Sequence, residues 1–104
     1  MTAPITGSPR ADLNGKAALV TGSAAGIGRE VTAELVRRGA RVIGVDRDAA
    51  PMKELRDELA SAPGTLTPFQ LDLREVERFG KLLAFTANEL GGLDILANVA
   101  GITR

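Results

Sequence analysis

Three glycines fall within one eight-residue stretch, Thr21-Gly-Ser-Ala-Ala-Gly-Ile-Gly28, as Gly22, Gly26 and Gly28. The side chains between them are small, so the chemistry available here belongs to the backbone. One glycine lets a strand end in a tight turn, a second lets a ligand approach the main chain, and a third lets the next helix pack closely. The helix that follows offers free N–H groups and the positive end of its dipole to an anion such as a diphosphate. Asp46 stands 18 residues beyond Gly28 and ends another apolar run. That is near the place expected of a carboxylate that accepts hydrogen bonds from a ribose diol. Each signal has an ordinary counterpart: a glycine-rich turn with no ligand, or a solvated turn aspartate. Together, between a buried strand and a helix, they favour the ligand.

Two further polar residues are ambiguous. Asp72 ends a third apolar run, where it can touch a ligand or cap the helix that follows. Asn98 lies inside an apolar run, so its amide must find partners, either neighbouring backbone or a nucleotide.

The composition narrows the chemistry. The 104 residues contain no Cys, His, Tyr or Trp. Disulfides, thiol nucleophiles, imidazole bases and the commonest metal ligands are therefore excluded. No spacing of carboxylates suggests a metal site. Thirteen basic residues balance thirteen acidic ones, which gives no reason to expect nucleic acid or an anionic membrane surface as partner. No apolar run approaches the ~20 residues of a membrane span. The first residues lack the basic flank and apolar core of a signal peptide, and a cytoplasmic location is expected.

Residues 1–12, with two Pro and one Gly, read as a flexible N-terminal arm, and 13–104 as a single unit. Ala17–Val20 is a short run without polar alternation, as in a strand covered on both faces. Ile27, Val31 and Leu35 form a helical stripe that Gly39 ends. Val42–Val45 is the second strand. Met52, Leu55 and Leu59 mark the second helix, with Pro51 in its first turn. Leu66–Leu71 is the third strand, and its Pro68 assigns it to a sheet edge. Val76, Phe79, Leu83 and Leu90 mark the third helix, stopped at Gly91-Gly92. Ile95–Val99 is the fourth strand. The order β-α-β-α-β-α-β implies an α/β fold with a parallel sheet and right-handed crossovers.

These residues resemble the short-chain dehydrogenase/reductase family. Thr21–Gly28 matches its T-G-x-x-x-G-[IL]-G signature, Leu71-Asp72-Leu73 resembles its adenine-contacting segment, and Leu93–Arg104 resembles the stretch containing its N-N-A-G motif. The likeness runs from about Leu13 to Arg104, and the Gly-Ile-Thr-Arg ending is most similar to the β-ketoacyl-carrier-protein reductase branch. It implies a partial Rossmann-type doubly wound sheet of strand order 3-2-1-4. It also implies that Gly22, Ser23, Gly26, Ile27 and Gly28 surround phosphates and that Asp46 takes the ribose hydroxyls. Asp72 and Leu73 would border adenine, and Asn98, Ala100 and Gly101 would line the cofactor near its ribose. Val99 departs from the family, which usually has a second Asn there, so local bonding is expected to differ while the fold is kept.

Charge argues for NAD over NADP. Asp46 would repel a 2′-phosphate, and Ala25 stands where NADP-preferring relatives often carry a basic residue. Arg47 points weakly the other way, because a guanidinium can pair with phosphate. The family's catalytic Tyr, its Lys four residues on, and its Ser lie in the second half of a chain of about 250 residues. With no Tyr, these 104 residues are expected to bind cofactor without transferring hydride. They read as the cofactor-binding half of an oxidoreductase of alcohols, ketones or 3-oxoacyl thioesters. The alternatives are a non-catalytic nucleotide-binding module or one half of a split enzyme. The fourth strand would then expose an apolar edge that invites a complementing chain or self-association.

Overall fold

The computed structural model describes residues 13–72 and 74–99. The expected arm, residues 1–12, lies outside the described residues. In chain order the elements are β1 Ala17–Thr21, α1 Gly26–Arg37, β2 Arg41–Asp46, α2 Ala49–Glu58, β3 Thr65–Gln70, a 3-10 turn Val76–Arg78, α3 Phe79–Leu90 and β4 Ile95–Asn98. The sheet order is β3-β2-β1-β4, and every neighbouring pair is parallel. Pro68 sits on the edge strand β3, opposite Gly44, where its missing N–H breaks no ladder.

Strand alternation divides the core in two. Ala18, Val20, Val42 and Leu66 point to one face, where Ala33 and Val36 of α1 and Leu55 of α2 cover them. Ala17, Leu19, Ile43 and Val45 point to the other, where Leu82 and Leu90 of α3 lie with Leu71. Phe85 of α3 packs on Phe69 of β3 with ring centroids 5.0 Å apart. Fully burying one such aliphatic side chain contributes about 1.5–3 kcal/mol, so the central strands, apolar on both faces, carry most of the stability.

Polar groups fix the ends. Gly39 and Ala40 donate to the Val36 and Leu35 carbonyls, both at 3.0 Å, which closes α1 at the expected glycine. Asp94 accepts the Ala17 N–H at 2.8 Å while its own N–H donates to the Ala17 carbonyl at 2.8 Å. That reciprocal pair sets the start of β1 against β4. The Arg41 guanidinium donates to the Gly15 and Leu90 carbonyls, tying the entry to β1 to the end of α3.

Two helix stripes differ in part from expectation, at Ile27 and Leu83. On α1 the buried residues are Gly28, Thr32, Ala33 and Val36, while Ile27 is 62 % exposed. On α3 Leu82, Thr86 and Leu90 are buried and Leu83 is 63 % exposed. The expected stripes follow large apolar residues. On α1 the expected Val31 and Leu35 do pack against the core, but Gly28, Thr32 and Ala33 lie deepest with Val36, because a short side chain lets the helix axis approach the sheet. On α3 Leu90 is buried as expected and Leu82 takes the place of Leu83. Val76 belongs to the 3-10 turn, so its phase does not carry into α3.

Candidate functional site

At Thr21 the chain leaves the sheet and turns at Gly22, whose φ is +70°. The Gly22 and Ser23 N–H groups both donate to the Val45 carbonyl, at 2.7 and 3.1 Å, so the turn is fastened to the end of β2. Ser23 is buried beneath it, and its hydroxyl donates to Met52 Sδ at 3.1 Å. Gly44 makes room, since a Cβ there would lie 2.7 Å from Ser23 Oγ. The Ser23 side chain therefore anchors the turn from below and faces the core.

Beyond the buried Ala24 the turn opens to solvent. Ala25 is the N-cap of α1 and supplies no side-chain cap, and the first turn carries no acidic residue. The N–H groups of Gly26, Ile27 and Gly28 have no intrahelical acceptor by construction. A Cβ on Gly26 would meet nothing within 4 Å, whereas one on Gly28 would run into the Gly22 carbonyl oxygen. The first of these glycines faces open space, and the second lets the helix start lie against the turn. The result is a row of amide hydrogens at the positive end of a dipole, with Ile27 exposed beside it.

Asp46 ends β2 beside this row. Its Oδ2 accepts the Ala24 N–H at 3.0 Å, and its Oδ1 accepts the Asp48 N–H at 3.1 Å. The carboxylate thus faces the glycine turn. Arg47 is exposed, and its carbonyl accepts from the Gln70 side-chain amide at 3.0 Å.

Asp72 follows β3. Its carboxylate accepts the Arg74 N–H at 3.0 Å and pairs with the Arg74 guanidinium at 2.8 Å. It closes a local turn and does not cap α3, whose N-cap is Arg78. Hydrogen bonding to Arg74, with a smaller electrostatic contribution from Arg47, holds the Asp72 pKa down from 3.8 to about 2. A depressed carboxylate pKa contributes stability above its unfolded value and loses it as pH falls through the folded value. The wild-type advantage over Asp72→Asn in urea unfolding is therefore expected to be present at pH 5 and to disappear between pH 3.8 and about 2. An advantage unchanged at the acid end would show that the ion pair contributes nothing to stability.

Asn98 is the register partner of Thr21, and its Oδ1 accepts the Thr21 hydroxyl at 2.8 Å. That bond links the ends of β1 and β4 through their side chains. Leu73, Ala100 and Gly101 lie outside the described residues. Ala24 and Met52 belong to the site although the sequence did not single them out. Ala24 acts through its backbone alone, and Met52 is indistinguishable in the sequence from an ordinary helix-core residue.

Gly22–Gly28, Asp46, Asp72 and Asn98 thus gather at the carboxyl ends of four parallel strands. That edge is where open α/β sheets bind ligands, next to the point where strand order reverses, here between β1 and β4. The sheet order and its alternating helices define a Rossmann-type α/β unit. The family model for short chain dehydrogenases matches residues 16–104, and the chain belongs to that family. It is 34 % identical over 92 residues to a 3-oxoacyl-acyl-carrier-protein reductase of Thermotoga maritima, covering 88 % of this chain and 37 % of that protein. A hydroxysteroid dehydrogenase from Escherichia coli superposes with a TM-score of 0.79 at 32 % identity, over 88 % of this chain and 39 % of that one. A metagenomic short-chain oxidoreductase in complex with NADP gives a TM-score of 0.75 at 28 % identity, over 80 % and 38 %. The chain therefore spans well under half the length of these relatives. No helix among the described residues is long and apolar enough to cross a membrane.

Proposed function

We propose that this chain is the cofactor-binding part of an NAD-dependent oxidoreductase acting on alcohols, ketones or 3-oxoacyl thioesters. In this reading the Gly26–Gly28 amides hold the diphosphate and Asp46 holds the adenosine ribose. The observation that carries it is the uncapped start of α1, open at Gly26, with the Asp46 carboxylate beside it. The residues fit such a group: a row of donors for an anion, and an acceptor for hydroxyls next to it.

The number of acceptor positions supports NAD. A carboxylate offers about four lone-pair positions, and the Ala24 and Asp48 N–H groups take two of them. Two remain, matching the two hydroxyls of a ribose diol. A 2′-phosphate would replace one donor with a dianion facing a carboxylate. Bound NAD would supply the hydride acceptor; the residues described here bind it, orient it and leave proton transfer to groups elsewhere. Calorimetric titration of the 104-residue chain is expected to show NAD bound at least about ten-fold more tightly than NADP, a difference of ~1.4 kcal/mol. Equal or tighter NADP binding would transfer the decisive role to Arg47 and end the NAD assignment. The same reading expects a cytoplasmic location.

A binding module completed by another polypeptide is the second reading, and the outer strand favours it. Among the described residues β4 pairs with β1 alone, and its Leu96 is 61 % exposed. An apolar sheet edge of this kind recruits a complementing chain or a second copy. Light scattering is expected to show concentration-dependent association that Leu96→Lys reduces. A wild-type chain that stays monomeric at high concentration would remove self-association from the proposal.

A further inference from the structure

Asp46 sits between two pieces of backbone that have to keep a fixed relation if the turn is to bind anything. Its Oδ2 holds the Ala24 N–H in the glycine turn, and its Oδ1 holds the N–H of Asp48, the N-cap residue of α2. Val45, the residue before it, accepts the Gly22 and Ser23 N–H groups. Ser23 in turn reaches Met52 of α2. The turn is thus fastened to β2 by three successive amides, the last of them held by a side chain, and to α2 through the Ser23 hydroxyl.

We infer that the Asp46 carboxylate is a positioning group for the glycine turn, fixing the Ala24 amide so that the Gly26–Gly28 amides point outward together. This rests on the anion-binding reading of the turn but concerns a different bond from the ribose contact. A carboxylate beside an anion site ordinarily weakens that site by repulsion. Here the same carboxylate supplies the acceptor that orders the site. Charge and order therefore pull in opposite directions, and the sign of the effect on a ligand without any ribose separates them.

The ligand for the test is inorganic pyrophosphate, titrated into the full chain and into its Asp46→Ala and Asp46→Asn variants. Amide hydrogen exchange is followed at Ala24, with Leu19 and Ile43 in the centre of the sheet as reference. In Asp46→Ala the Ala24 amide is expected to exchange about ten-fold faster or more, the scale of a lost charge-assisted hydrogen bond. Leu19 and Ile43 should keep their wild-type protection, and pyrophosphate should bind more weakly. Asp46→Asn keeps one oxygen for Ala24 and drops the charge, so it should retain Ala24 protection and bind pyrophosphate at least as well as wild type. Unchanged Ala24 exchange in Asp46→Ala overturns the inference, as does tighter pyrophosphate binding by that variant. Because the exchange experiment needs no ligand, a wild-type chain that binds no nucleotide would defeat the cofactor reading while leaving the Ala24 measurement decisive for the Asp46 bond.

Discussion

Gly28→Ala is expected to abolish nucleotide binding by the chain, with affinity for NAD falling more than about a hundred-fold, or ~3 kcal/mol. The cause is a collision between main chains. A Cβ at position 28 would enter the space of the Gly22 carbonyl oxygen and crowd Ser23 Cα. No rotamer change relieves contact with backbone atoms, so the start of α1 must move away from the turn. Gly22 and Ser23 are held by Val45 and resist following. The displacement therefore falls on the Gly26–Gly28 amides, whose usefulness to an anion depends on aiming at one point. Overpacking of this kind costs about 1–3 kcal/mol of stability, so thermal unfolding should move down as well. Two other glycines separate the contributions. Gly26 and Gly15 both have positive φ and open space where a Cβ would stand. Alanine at either should impose a similar modest strain, roughly 1–2 kcal/mol. Only Gly26 adjoins the proposed diphosphate, so Gly26→Ala should weaken NAD binding while Gly15→Ala should not. If Gly28→Ala binds NAD within a few-fold of wild type, the turn is not where the nucleotide sits.

The difference between those glycines is one the sequence does not carry. Spacing identified Gly22, Gly26 and Gly28 as a set, because a turn that leaves a strand and opens a helix needs glycine at such intervals. Which of them faces a ligand and which faces a carbonyl depends on where the helix axis lies, a tertiary fact. The sheet order was legible for a related reason. Pro68 cannot donate to a ladder, which puts β3 at an edge, and the family likeness placed β1 between β2 and β4. The helix faces were less legible. Ile27 looked like the first residue of a core stripe, yet it is 62 % exposed, because α1 packs through Gly28, Thr32 and Ala33. Counting large apolar residues fails when a helix approaches a sheet on its small ones. Leu83 and Leu82 repeat the lesson on α3: adjacent leucines differ by about 100° around a helix, and only the packing chooses between them. Ser23 shows a third limit. Its hydroxyl can face out to a ligand or in to Met52, where it lies, and neither spacing nor composition distinguishes the two.

Val99→Asn is expected to destabilise the chain by about 2.5–4.5 kcal/mol, although it moves the sequence toward the pattern usual in the family. Val99 is 8 % exposed and belongs to the core cluster with Ala18, Val20, Ala33 and Val36. The two side chains are close in size, so no large cavity or clash enters the comparison. The change removes the transfer energy of a buried valine, about 1.5 kcal/mol at least. It also places an amide with two donors and an acceptor among aliphatic groups, at roughly 1–3 kcal/mol if its hydrogen bonds go unmade. In a small domain a loss of this size should lower the urea midpoint by ~1 M or more, given slopes of about 1–2 kcal/mol/M. Val99→Thr, which alters one methyl to a hydroxyl, should fall between the two. The opposite outcome is equally informative. An Asn variant as stable as wild type would mean that main-chain groups near position 99 supply the missing partners, and valine would then be the residue that leaves them unbonded. The order of the three midpoints therefore reports whether this chain has rebuilt the end of β4 as apolar core or merely tolerates a valine in a polar position.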